Sequence, residues 1–219
     1  RQPPTQRQRT ARSLRHLLFD QYQQRFPRTA TYQPAVIVEI DEQSLRDYGQ
    51  WPWPRSLVAD LVTRILAAKP VALGFDILFV EPDRYSPPVL GRYLPQLPGT
   101  TWNALPEPDQ LLAAALAKGP TVLALSGEYA TALGVRNAVR GVPLASRGGD
   151  PLEHLLQFPS VLASLPALRP TAAGEGIING HLERDRYARE RGIMRQLPLA
   201  ARVGDAVVPS LGLEMLRLA

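Results

Sequence analysis

Six side chains in the first half of the chain have the types and the order to build an acidic site: Asp41, Ser44, Arg55, Asp76, Glu81 and Asp83. Asp41 closes the run "PAVIVEID" (34–41), and Asp76 lies near the end of "PVALGFDILF" (70–79). The first run is apolar almost throughout and rich in β-branched residues, as strands buried on both faces of a parallel sheet are, and the second reads as another buried strand. Ligands of open α/β sheets sit outside the carboxyl ends of the strands, so parallel pairing places Asp41 and Asp76 at one edge. Ser44, Glu81 and Asp83 follow in the adjoining loops, and Arg55 opens the segment between the strands.

Three kinds of chemistry fit this set. Two or three carboxylates and a hydroxyl suit a hard cation, Ca²⁺ or Mg²⁺, held through oxygen; a metal-dependent hydrolase using Asp41 and Asp76 is the reading this opens. A pocket for a small ligand or ion, without turnover, is the second. In the third, Arg55 neutralises Asp41 or Asp76 in a buried ion pair that only organises the sheet edge. Other catalytic signals are poor. His16, His154 and His181 show no paired metal spacing, "GEGIING" is neither a dinucleotide nor a phosphate-loop pattern, and the Ser of "LSGEYA" lacks the glycine of a nucleophile elbow. Catalysis would rest on acids alone, so the expectation is a binding module with no catalytic residue and no cofactor beyond such a Ca²⁺ or Mg²⁺ ion.

The elements that must position these groups begin with "DYGQWPWPRS" (47–56). A residue before Pro is pushed into extended geometry, so Pro52 and Pro54 hold Trp51 and Trp53 extended. Pro54 suits the first helical position, because its φ is helical and it has no N–H to satisfy. Trp53 is expected to be a buried clamp against the sheet; the alternative is that both rings form a binding rim, a role Trp and Arg also suit. "RSLVADLVTRILAA" (55–68) places Leu57, Val58, Leu61, Val62, Ile65 and Leu66 on one broad helical face, completing a strand, helix, strand unit. "DQLLAAALAKG" (109–119) reads as a second helix and "PTVLALSG" (120–127) as a third strand. Ahead of this helix the Pro-rich stretch 81–109 reads as a long surface loop, and 134–173 reads as irregular, with "GDPLEHLLQF" and "PSVLASLPAL" as short helices. A strand at "GEGIING" (174–180), a hairpin around Val203-Gly204-Asp205 and a closing helix in 209–219 complete the chain. The fold class is α/β: a single domain with a mostly parallel central sheet flanked by helices, a C-terminal hairpin and long Pro-rich loops.

The chain has 219 residues, 45% of them hydrophobic and 21% charged, which is globular composition. No apolar run approaches the roughly 18 to 20 residues of a membrane span. The absence of Cys excludes disulfides and thiolate zinc sites. The net charge of +5 is concentrated at one end: residues 1–28 carry seven Arg against Asp20, a net +6, which leaves −1 for the rest. Such an arm on a near-neutral domain suits an anionic surface such as lipid headgroups, and no nucleic-acid partner is expected. From 11 to 25 the spacing of Leu14, Leu18 and Tyr22, with Leu17 beside them, predicts an amphipathic helix that offers a stripe to a partner.

The segment "VIVEIDEQSLRDYGQWPWPRSLVADLVTRILAAKPVALGFDILFVEPD" (36–83) resembles the CHASE2 family, extracytoplasmic sensory domains of bacterial membrane receptors. Ile40, Asp41 and Ser44; Gly49 and Trp51 to Arg55; and Gly74, Asp76, Glu81 and Asp83 stand at the positions of the family pattern. Weaker similarity extends to "LLFDQYQQRFPRT", "GIINGHLERD" and "RGIMRQLPL". Where the family has Asp-Gly-x-x-Arg, this chain has Arg191-Gly192-Ile193-Met194-Arg195, with Asp185 and Glu190 nearby. The resemblance implies a membrane-proximal basic helix over 1–30 and a sensor domain over 31–219. It also implies a periplasmic location, flanking transmembrane helices, and a cytoplasmic output module such as an adenylate or other nucleotide cyclase, a diguanylate cyclase or a histidine kinase; passing a signal across a bilayer needs relative motion of two chains, so a homodimer is expected. The expected ligand contacts are Asp41, Ser44, Trp51, Trp53, Arg55, Asp76, Glu81 and Asp83, for an unknown small ligand or ion.

Overall fold

A computed structural model of the chain describes residues 6–27, 29, 31–32, 35–96, 98–100, 104–129, 139–143, 151–180 and 197–219. It divides into two compact units, residues 1–47 with 180–197 and residues 48–179 with 198–219.

The first unit contains α1 (Gln6–Arg25) and α2 (Glu42–Tyr48), which runs one residue past the division. The run at 35–41 is not the buried strand its composition predicts. It pairs with none of the described residues, and Val36 and Ile37 are 88% and 89% exposed. β-Branched residues favour a pleated, half-buried surface but do not supply the neighbouring edge a strand requires. The segment instead delivers Asp41 to the start of α2.

The second unit is built on β2 (Thr121–Glu128), whose Val122, Leu123, Ala124 and Leu125 are fully buried. Such a strand has a layer against each face, as its unbroken apolar run requires. β1 (Leu73–Gly74) and β5 (Gly174–Ile177) pair parallel to β2, and β4 (Ser160–Ala163) pairs antiparallel to it. Because Val122 pairs with both Gly74 and Gly174, and Leu125 with both Ala163 and Ile177, β1 and β4 share one edge of β2. This is why the predicted strand 70–79 shrinks to a short parallel piece. Beyond the bond from the Phe75 N–H to the Val122 carbonyl, the edge belongs to β4, and the chain leaves the sheet with Phe75 and Phe79 packed edge-on.

A second sheet joins β3 (Leu156–Phe158), β6 (Ala200–Val203) and β7 (Ala206–Pro209) in that order, β3 parallel and β7 antiparallel to β6. Residues expected as short helices in 151–168 form β3 and β4 instead, preceded by one 3₁₀ turn at Pro151–His154. Leu125, Phe158, Val161, Ile177 and Val208 make one core from both sheets, and that burial overrides the local helical pattern. The hairpin turn falls at Gly204, whose φ of 59° is the left-handed conformation glycine adopts without strain. The architecture is α/β as expected, with mixed rather than purely parallel sheets.

Helices α3 (Arg55–Ala67) and α5 (Pro108–Leu116) pack against each other, burying Val58 and Val62 on one and Leu112 and Leu116 on the other. The Pro-rich loop carries a short helix that periodicity did not reveal, α4 (Pro87–Tyr93). α6 (Leu211–Leu218) starts at Ser210, whose hydroxyl accepts the Leu213 N–H at 3.3 Å, and lies on β5. A Cβ on Gly176 would fall 2.5 Å from Leu211 Cα, and one on Gly174 would meet the Glu214 side chain, so these two glycines serve close packing of helix on strand.

Candidate functional site

Gly49, at φ 89°, turns the chain so that its carbonyl accepts the Trp53 indole N–H at 2.7 Å. The Trp53 ring is 6% exposed and the Trp51 ring 37%. Tyr48 and Trp51 stand edge-on to Trp53, at 5.6 and 6.0 Å between ring centroids. Trp53 is thus buried, as a clamp requires, and the Tyr48 and Trp51 rings beside it are exposed. The Trp51–Pro52 peptide is cis, and Arg84 donates to the Pro52 carbonyl at 3.1 Å.

Pro54 stands one position earlier than its sequence suggests. With ψ at 140° it is the N-cap, and Arg55 is the first helical residue. The Arg55 N–H is then an orphan donor of the first turn and needs an acceptor. It finds one 28 residues away, where Asp83 Oδ2 accepts it. Asp83 Oδ1 accepts the Tyr85 N–H at 2.7 Å, and the Asp83 N–H donates to Asp109 Oδ2 at 3.0 Å. A buried carboxylate in the loop thus caps α3 by a tertiary route, with its charge at the positive end of the helix.

The Arg55 side chain is buried as well. Its guanidinium carbon lies 4.6 Å from the centre of the Phe79 ring, and its Nε lies 3.6 Å from Asp109 Oδ1, close enough for an ion pair but without a hydrogen bond. The partner of Arg55 is therefore Asp109 at the start of α5, whereas sequence reasoning named Asp41 or Asp76. Burial pushes the Asp109 carboxyl above its ordinary value, although the Asp83 N–H and Arg55 pull the other way. Burial, and after it the neighbouring Asp109 charge, raises Glu107 too. Burial lowers Arg55, opposed by Asp109 and Asp83.

The remaining expected site residues lie elsewhere. Asp41 is the N-cap of α2: its Oδ1 accepts the Ser44 N–H at 2.8 Å and the Ser44 hydroxyl at 2.7 Å, and these two bonds hold its pKa below the ordinary value. Asp76 and Glu81 are exposed. Among the described residues, no group of three or more His, Cys, Asp or Glu is placed to hold a metal ion. Arg191 to Arg195, with Asp185 and Glu190, lie outside the described residues.

Sequence reasoning passed over Asp109, Phe79, Tyr48 and Asn179. Asn179 Nδ2 donates to the Gly127 carbonyl at 3.0 Å while its Oδ1 accepts the Gly127 N–H, extending the edge of β2 with a side chain. Asp109 carried one usable signal, an acid directly after Pro at a helix start, but nothing local tied it to Arg55.

Comparison with curated proteins and with solved structures returns no match. A family model described as the CHASE2 domain matches residues 4–219, well beyond the 36–83 segment that carries the motif. The chain belongs to the CHASE2 family, the extracellular sensory domains of signalling receptors.

Proposed function

We propose that this chain is the periplasmic sensing domain of a bacterial transmembrane receptor. Its stimulus acts on the rim formed by Tyr48 and Trp51, and the response passes through membrane helices to a cytoplasmic output module such as a cyclase or a kinase. The observation that carries the reading is the family match over nearly the whole chain. Exposed aromatic faces suit a small ligand with an apolar or cationic face. Trp51 is then the direct contact, Asp76 and Glu81 are exposed carboxylates available to a polar group, and Trp53, Arg55 and Asp83 position the rim from beneath.

The coupling runs through Asp83, which is bonded to Arg55 at the helix start and to Tyr85 in the loop. A ligand that shifts the rim or the loop by an ångström must break or re-aim one of these bonds, and α3 then loses its cap. The hydrolase reading gains no observation, because Asp41 is engaged in capping α2 and Asp76 stands exposed.

Joining the chain to the membrane helices of a receptor with a cyclase reporter tests this. Asp83→Ala is expected to change basal output, whereas Asp205→Asn, in the exposed hairpin turn, leaves it alone. Output indifferent to Asp83→Ala sinks the coupling. Turnover of phosphoester or glycoside substrates by the chain with Mg²⁺ or Ca²⁺ overturns the sensor reading itself.

A further inference from the structure

Helix α1 leaves its apolar side chains exposed. Of its described side chains His16 and Asp20 are half-buried, while Leu14, Leu18 and Tyr22 are more than half exposed, as is Phe26 just past its end. At about 100° per residue, positions 14, 18, 22 and 26 form one stripe along the helix. The Tyr22 and Phe26 rings stand 5.2 Å apart, so the stripe ends in a continuous aromatic surface. Arg15 and Arg25 fall within the same stripe and are exposed with it. An exposed stripe of leucines and aromatic rings with arginines beside it is a surface suited to an interaction.

Charge identifies the occupant. Residues 1–28 carry seven Arg against the single Asp20, and Asp20 lies on the opposite side of the helix. A two-fold pairing of copies would bring the Arg15 and Arg25 of both chains into one interface with no carboxylate on that face to offset them. An anionic lipid surface accepts both components. Rings and leucines enter the boundary between headgroups and acyl chains, and arginine stems lie along it while their guanidinium groups reach phosphate. No helix among the described residues is long and apolar enough to cross a membrane.

We propose that α1 lies in the plane of an anionic lipid surface, with Leu14, Leu18, Tyr22 and Phe26 facing the acyl boundary and Arg15 and Arg25 on lipid phosphates. This goes beyond the sensing role and does not depend on what the rim binds. In a receptor it would hold the first unit against the bilayer, so that lipid charge sets where the sensor sits.

Flotation of the 219-residue chain with phosphatidylcholine vesicles, with and without phosphatidylglycerol, tests it. The chain is expected to float with the phosphatidylglycerol vesicles, to bind phosphatidylcholine weakly, and to be released by salt. Arg15→Gln with Arg25→Gln should weaken binding roughly five-fold per arginine, the equivalent of about 1 kcal/mol each. Leu18→Ser with Tyr22→Ser should abolish it. All four side chains are exposed, so each variant should melt with the parent, and a variant that fails to float but melts normally has lost lipid contact and not its fold. Equal capture by both vesicle types, or capture indifferent to the arginines, overturns the proposal. So does a chain that binds neither vesicle, whether it is a monomer or a dimer that Leu18→Ser dissolves; the dimer would assign the face to a second copy.

Discussion

At the scale of single residues, Trp51 and Trp53 share a motif and differ in role. Trp53→Ala removes a buried ring and its bond to the Gly49 carbonyl, and should cost on the order of 3 to 5 kcal/mol. Trp51→Ala, at the rim, should cost about 1 kcal/mol or less. Urea titrations of the two variants check this, and a Trp53→Ala protein as stable as its parent would refute the clamp. The acids divide in the same way. Asp76→Asn changes an exposed side chain and should stay within about 0.5 kcal/mol of the parent. Asp109→Asn keeps an acceptor for the Asp83 N–H and removes the ion-pair partner of the buried Arg55; because burial already disfavours the Asp109 charge, the loss should stay below the roughly 3 kcal/mol of a broken buried pair. Combining Asp109→Asn with Arg55→Met should cost less than the sum of the two single changes, because the second removes the stranded cation. Additive costs would mean that the 3.6 Å approach carries no coupling.

At the scale of elements, α3 depends on a cap it does not encode. Pro54 has no side-chain oxygen to offer, so the acceptor comes from Asp83, and Asp83→Ala should cost about 2 kcal/mol, seen as a lower thermal midpoint. α6 carries its own cap, and Ser210→Ala should cost about 1 kcal/mol. Gly176→Ala tests helix on strand. Its new methyl meets the backbone of Leu211 and not a flexible side-chain end, so α6 must shift, at about 1 to 3 kcal/mol. A Gly176→Ala chain with unchanged stability would mean that α6 can slide freely on β5.

At the scale of the whole molecule, the titratable groups pull stability in opposite directions with pH. Asp109 and Glu107 are held above their ordinary values of 3.8 and 4.5, mainly by burial. The folded chain therefore holds these protons more tightly than the unfolded one. Their contribution is complete below those ordinary values and is lost as pH rises through the raised folded ones. Asp41 is the reverse case. Its contribution is present above 3.8 and is lost as pH falls through its lowered folded value. The stability difference between the parent and Asp109→Asn should accordingly shift in favour of the parent as pH falls from neutral toward the ordinary carboxylate range. Urea melts of both at several pH values measure it, and a difference that does not vary with pH would show that Asp109 titrates normally. What the sequence determined alone were features with a local cause: the run of α3 from Arg55, the hairpin at Gly204 and the buried strand β2. Wherever the cause lay in a distant partner, the tertiary structure decided. β4 occupies the edge of β2 that the 70–79 strand would have extended along, no described segment pairs with 35–41, and two sheets sharing one core turned expected helices near Phe158 into strands. Arg55 meets Asp109 rather than Asp76 for the same reason: side-chain pairing follows the path of the loop after Phe79, and periodicity says nothing about where a loop returns.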